Sequence, residues 1–177
     1  MASVTKIPVS IITGFLGSGK TTLISQLMQN TQGKRLAVIV NEFGDVGVDG
    51  QILKECAIPN CPEDNIMELS NGCICCTVAD DFIPTIEALM ARVPQPEHIL
   101  IETSGLALPK PLLQAFDWPD IRSRITVDGV IALADAEAVA ANRFAPDLDA
   151  VERQRSADDQ LDHDTPLSEV FEDQIAC

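Results

Sequence analysis

The sequence is short of basic residues. Across 177 residues, 12 lysines and arginines face 27 aspartates and glutamates, for a formal charge of −15. So acidic a chain repels a nucleic-acid backbone and an anionic membrane surface, which excludes both as expected partners. A small anion held by a local nest of backbone N–H groups stays compatible with it, because nests act at short range. Long apolar runs are missing too: none approaches the roughly 18 residues of a membrane helix. The start, Met1-Ala2-Ser3-Val4-Thr5-Lys6, lacks the charged-then-apolar plan of a secretory leader. There is no internal repeat. The expectation is a soluble, cytoplasmic protein, and its 46% hydrophobic content is enough for the core of one domain.

The apolar pattern alternates between two periods. Strand-like runs are expected at Ile7–Thr13, Leu36–Val40, Ile66–Leu69, His98–Glu102 and Ile125–Ala134. Helices are expected between them at Gly19–Asn30 (Leu23, Ile24, Leu27 and Met28 forming the apolar face), at Val78–Arg92 with Pro84 disturbing its first half, and at Pro109–Phe116 with the proline in its first turn. This order predicts an α/β fold with a mostly parallel sheet flanked by helices. The stretch Ala145–Asp164, rich in aspartate and carrying Pro146, is expected to be a mobile acidic insertion. Thr165-Pro166 then opens a last helix with Leu167, Val170, Phe171 and Ile175 on one face. A parallel sheet would continue past Cys177, so residues 1–177 are expected to be one domain, truncated before its final strands.

Gly14-Phe15-Leu16-Gly17-Ser18-Gly19-Lys20-Thr21 fits G-x-x-x-x-G-K-[ST] and sits between a strand and a helix. The glycines let the backbone curl so that N–H groups face phosphate oxygens, and the helix N-terminus adds partial positive charge. Lys20 is expected to reach the β- and γ-phosphates and the Thr21 hydroxyl to ligate Mg²⁺. Glu102 ends the strand His98–Glu102 and begins Glu102-Thr103-Ser104-Gly105. It is placed to contact Mg²⁺ directly or through water, with the Gly105 N–H sensing the γ-phosphate; an exposed strand-end carboxylate is the alternative. In the acidic loop after the second strand, Glu42 is the first choice for orienting the attacking water or touching Mg²⁺, Asp45 the second, and Asp49 a surface carboxylate.

There are six cysteines, three of them crowded into Asn71-Gly72-Cys73-Ile74-Cys75-Cys76-Thr77. A chain of this size with a good core does not need disulfide staples. Cys73 and Cys75 share a side in extended geometry, and a turn at Cys76 could bring in a third sulfur, as thiolate ligation of a metal requires. A redox switch and simple burial are the alternatives. Cys56 and Cys61 are spaced loosely and read as structural, and Asp162-His163-Asp164 as a solvated trio.

GFLGSGKTT, NGCICCT and ETSGLALP together resemble the phosphate loop, C-x-C-C and glutamate-type Walker B motifs of the CobW-like metallochaperone GTPases. The resemblance runs over essentially the whole chain and implies a P-loop NTPase fold. It implies that Gly14 through Thr22 bind phosphate, that Glu102 and Gly105 form the Walker B element, and that Lys20, Glu42 and Glu102 serve a slow GTPase. It implies a transition metal on Cys73, Cys75 and Cys76, with Co²⁺ first and Zn²⁺ as the alternative, released on GTP hydrolysis. It further implies cobalt supply to cobalamin biosynthesis through cobaltochelatase, and a nucleotide-dependent homodimer. A non-enzymatic metal-buffering module is the rival from another class. The family's Asn-Lys-x-Asp guanine-reading motif does not occur in this chain, so guanine over adenine rests on the resemblance.

Overall fold

The computed structural model describes residues 6–40, 66–68, 82–157 and 165–176. Strands β1 (Ile7–Thr13), β2 (Leu36–Val40), β3 (Ile66–Glu68), β4 (His98–Glu102) and β5 (Ile125–Ala132) form one sheet in the order β3-β2-β4-β1-β5. Every described pairing is parallel. The described helices are α1 (Lys20–Gln29), α2 (Ile83–Met90), α3 (Pro109–Ala115), α4 (Pro119–Arg122), α5 (Ala136–Ala140), α6 (Leu148–Ala157) and α7 (Leu167–Ile175).

The inner strands β2, β4 and β1 are dominated by Ile, Val and Leu because both of their faces are covered, whereas the edge strand β5 carries Asp128 and is largely uncovered. Alternation sends Val9, Ile11, Ala37, Ile39, Ile99 and Ile101 to one face, where they pack with Ile86 and Leu89 of α2 and Leu112 and Ala115 of α3. Ile12, Val38, Val40 and Leu100 face the other way, onto Ile24 and Met28 of α1. The order of the strands accounts for this split. The chain moves outward from β1 to β2 and back from β3 through β4 to β5, and crossovers of one hand must then put α1 on the face opposite α2 and α3.

A third cluster lies at the sheet's C-terminal end. Phe15, Leu106, Ala145, Val151 and Val170 are buried there, with Leu108, Phe144, Leu167 and Phe171 packed against them. Two of its buried residues, Ala145 and Val151, come from the stretch 145–164 expected to be a mobile insertion, of which 158–164 lie outside the described residues. Instead, α6 occupies Leu148–Ala157 and buries Val151 completely. An aspartate explains the difference: Asp147 Oδ1 accepts from the Ala150 N–H at 2.9 Å and caps the helix. Asp135 caps α5 in the same way, accepting from Ala138 N at 2.7 Å.

Other departures are local. Pro84 lies in the first turn of α2, where its missing N–H costs nothing, so it opens this helix rather than disturbing it; residues 78–81 lie outside the described residues. Leu27 is 36% exposed, leaving Ile24 and Met28 as the buried positions of the α1 apolar face. Ile175 of α7 is 54% exposed and Gln174 takes the inward position. No described helix is long and apolar enough to cross a membrane.

Candidate functional site

The loop after β1 and the turn after β4 meet because those strands are neighbours, with Ile12 paired to Glu102. They open at the carboxyl end of the sheet, between helices on opposite faces, which is where open α/β sheets bind ligands. The Thr103 N–H donates to Ile12 O at 3.0 Å and ties the two segments together just beneath the opening.

Gly19 turns the chain into α1 with φ +95°, a conformation that disfavours a side chain, and an added Cβ would meet nothing within 4 Å. The surface above it is open backbone. The first turn of α1 has neither a side-chain cap hydrogen bond nor an acidic residue, a helix start that favours an anion. Ser18 Oγ is buried without a hydrogen-bond partner among the described residues. An uncapped helix start, an open cradle and an orphaned hydroxyl together fit a phosphate group.

Lys20 begins α1 and is 8% exposed. Its Nζ donates back to Gly14 O at 2.8 Å and Phe15 O at 3.2 Å, which keeps the ammonium over the loop. One residue on, Thr21 Oγ1 donates to Glu102 Oε1 at 3.1 Å. Glu102 is 2% exposed, so it is no solvated strand end. A hydroxyl and a carboxylate are the hard oxygen donors Mg²⁺ takes, and this pair fits such an ion. Gly105 lies on the far side of the same turn. A Cβ there would stand 2.8 Å from Leu16 N, so the turn packs directly on the backbone of the phosphate loop.

The structure thus brings together Gly14 through Thr22, Glu102 and Gly105. Glu42, Asp45, Asp49, Cys56, Cys61, Cys73, Cys75, Cys76, Cys177 and the Asp162-His163-Asp164 trio lie outside the described residues. Among the described residues, no group of three or more His, Cys, Asp or Glu could hold a metal ion.

Two features of α7 escaped the sequence reading. Gln174, 1% exposed, donates from Nε2 to Gly105 O and to Ala107 O, each at 3.0 Å. Phe171 packs edge-on against Phe15 of the phosphate loop, with ring centroids 5.7 Å apart. The signal was present as spacing: 167, 170, 171 and 174 complete an i, i+3, i+4, i+7 face, but the last position holds an amide and the neighbouring Ile175 is the apolar residue.

Away from this opening, His98 at the start of β4 has its Nε2 2.9 Å from Ser10 Oγ. The pair lines a cleft of about 270 Å³ with Asn30, Lys34 and Ile131. Desolvation holds the His98 pKa below its ordinary value, with Lys34 adding to the shift and Asp128 opposing it.

Comparison with known proteins agrees with this geometry. A family model described as CobW/HypB/UreG, nucleotide-binding domain, matches residues 8–177. The zinc chaperone CobW of a Sinorhizobium species is 62% identical over 170 residues, covering 96% of this chain and 48% of that protein. The zinc chaperone CobW of Pseudomonas aeruginosa is 54% identical over 180 residues, covering 99% and 48%. The chain therefore spans about half the length of these relatives. Among solved structures, a zinc-bound triple mutant of the YjiA GTPase superposes with a TM-score of 0.53 at 24% identity, over 96% of this chain and 62% of that one, a likeness of fold. The phosphate loop, the buried glutamate beside it and the family match converge: this chain belongs to the CobW/HypB/UreG family, whose nucleotide-binding domain it carries.

Proposed function

We propose that the chain is the nucleotide-handling part of a GTP-dependent cytoplasmic metallochaperone, with Mg-GTP as its substrate and a thiophilic divalent metal as its cargo. The observation that carries this reading is the 3.1 Å contact from Thr21 Oγ1 to Glu102 Oε1, made beside a buried lysine and an uncapped helix start. In the proposed cycle Lys20 gives up the Gly14 and Phe15 carbonyls for the β- and γ-phosphate oxygens. The loop N–H groups and the start of α1 take the remaining phosphate charge. Thr21 and Glu102 would hold Mg²⁺, which when bound neutralises charge on the transferred phosphoryl group. Glu42 orients the attacking water, and the Gly105 N–H distinguishes a γ-phosphate from its absence.

Cys73, Cys75 and Cys76 are proposed to carry the cargo as thiolates. Zinc is placed ahead of cobalt for two reasons: thiolate sites bind Zn²⁺ more tightly than Co²⁺ on intrinsic affinity, and the two relatives above are named zinc chaperones. Cobalt delivered to a cobaltochelatase then requires geometry or metal supply to reverse that order. Nucleotide and metal are coupled through the shared sheet, and linkage makes the coupling mutual: if Mg-GTP tightens metal binding, metal tightens Mg-GTP binding by the same factor.

An absorption titration with Co²⁺ as probe tests the reading. Sulfur-to-cobalt charge-transfer bands are expected, lost in Cys75→Ala and Cys76→Ala, bleached by competing Zn²⁺, and appearing at lower Co²⁺ when Mg-GTP is present. Equal Co²⁺ affinity with and without Mg-GTP removes the coupling, and Co²⁺ that resists Zn²⁺ makes cobalt the cargo.

A further inference from the structure

We infer that Gln174 is a positioning residue for the γ-phosphate-sensing turn, and that α7 is the element through which nucleotide state leaves the phosphate site. The inference rests on the reading of Gly105 proposed above. Its basis is the way one helix grips both loops of the site. Gln174 Nε2 spends both of its hydrogens on the turn, one on Gly105 O and one on Ala107 O, each at 3.0 Å. Phe171, three residues earlier, lies against the ring of Phe15 at 5.7 Å. Beyond the Thr103–Ile12 hydrogen bond beneath the opening, the phosphate loop and the Glu102–Ala107 turn are thus both contacted by one helix.

The chemistry of the grip is specific. Two carbonyls can be satisfied from one atom only by a group with two hydrogens on it; asparagine has the same amide but falls a methylene short. Gln174 is 1% exposed, and its Oε1 has no hydrogen-bond partner among the described residues. A buried amide satisfied on one side only is unfavourable compared with an apolar side chain of the same volume. The position nevertheless holds an amide, on a helix whose Leu167, Val170 and Phe171 belong to a cluster of Phe, Leu, Val and Ala. What the amide adds is control of the turn: anchoring the carbonyls of 105 and 107 orients the peptide planes that follow the Gly105 N–H. The other side of Gly105 has no slack, since even a Cβ would come within 2.8 Å of Leu16 N. Gln154 Oε1 of α6 also lies near, 3.5 Å from the same Cβ position, but the hydrogen bonds on the turn carbonyls come from Gln174, so a shift of the turn when a γ-phosphate binds or leaves is passed to α7.

The test compares binding of a non-hydrolysable GTP analogue and of GDP, both with Mg²⁺, by the parent chain and by Gln174→Leu and Gln174→Glu, with thermal melting as the check on folding. Leucine keeps the volume and removes both donors; glutamate keeps the shape and sets an acceptor against two acceptors. The expected result is a roughly tenfold loss of analogue affinity with GDP affinity held within about twofold. Equal losses for the two nucleotides, or none, in a folded variant overturn the inference, because a packing role alone does not distinguish a γ-phosphate. If neither variant folds, Gln174 is a core residue and the inference falls. If the parent chain itself binds both nucleotides equally, the sensing role proposed for Gly105 fails first and takes this inference with it.

Discussion

Thr21 and Glu102 are 81 residues apart in sequence, yet the hydroxyl of one donates to the carboxylate of the other at 3.1 Å. Parallel pairing of β1 with β4 makes the contact possible, by ending the two strands side by side. It also sets up a clean substitution. In Glu102→Gln the amide oxygen still accepts from Thr21, so the local hydrogen bond and the fold persist, while the negative charge is lost. Phosphate release assayed against Mg²⁺ concentration is expected to need roughly ten- to a hundredfold more Mg²⁺ at half-maximum, with melting little changed. Unaltered Mg²⁺ dependence would remove Glu102 from the metal site.

Lys20 should behave differently. Its ammonium is buried over the loop carbonyls, and no other residue of Gly14–Thr21 carries a positive charge. Lys20→Ala is expected to lower the rate of phosphate release by about 10²–10³-fold, the scale for removing one preorganised charge from a transition state. Lys20→Arg should not rescue it, since a planar fork cannot occupy the place of a compact point charge. Release that continues at the parent rate in Lys20→Ala would favour a metal buffer that merely holds nucleotide.

Much of the fold was legible because burial on both faces leaves a plain trace. Ile7–Thr13 and Leu36–Val40 are rich in Ile and Val, broken in the first only by Pro8, Ser10 and the final Thr13, and the strands occupy those same residues. The phosphate loop was legible because its glycines and lysine are required by backbone geometry and charge together. Aspartate hid the helix at Leu148–Ala157: composition alone cannot tell a solvated carboxylate from one that caps a helix, as Asp147 does. Gln174 stayed hidden for the complementary reason. Its burial depends on two carbonyls nearly 70 residues away in the chain, and no local pattern announces them.

Phe15 has a second role, as a core residue inside a binding loop. It is 1% exposed and meets Phe144 at 5.4 Å as well as Phe171. Phe15→Ala is expected to cost about 3–5 kcal/mol. In a chain of this size that corresponds to roughly 6–20 °C in melting temperature. Leu16, its neighbour, is 38% exposed, so Leu16→Ala should cost about 1 kcal/mol or less. Melting curves that fail to separate the two variants would show that the aromatic cluster does not anchor the loop.

His98 gives the chain a pH dependence that can be isolated from its many carboxylates. Burial is the main reason its pKa lies below the ordinary 6.5, so the folded state favours the neutral ring that meets Ser10. Between the folded and unfolded pKa values the unfolded chain binds more protons, and stability there rises with pH. The contribution of His98 is therefore complete above about pH 6.5 and is lost as pH falls through the folded value. Carboxylates take over at more acidic pH, so the window to examine is pH 7.5 to 5. Urea midpoints measured across it are expected to fall less steeply with acid in His98→Gln, whose amide can still pair with Ser10. Parallel slopes for parent and variant would show that protonation of this ring is not opposed by its surroundings.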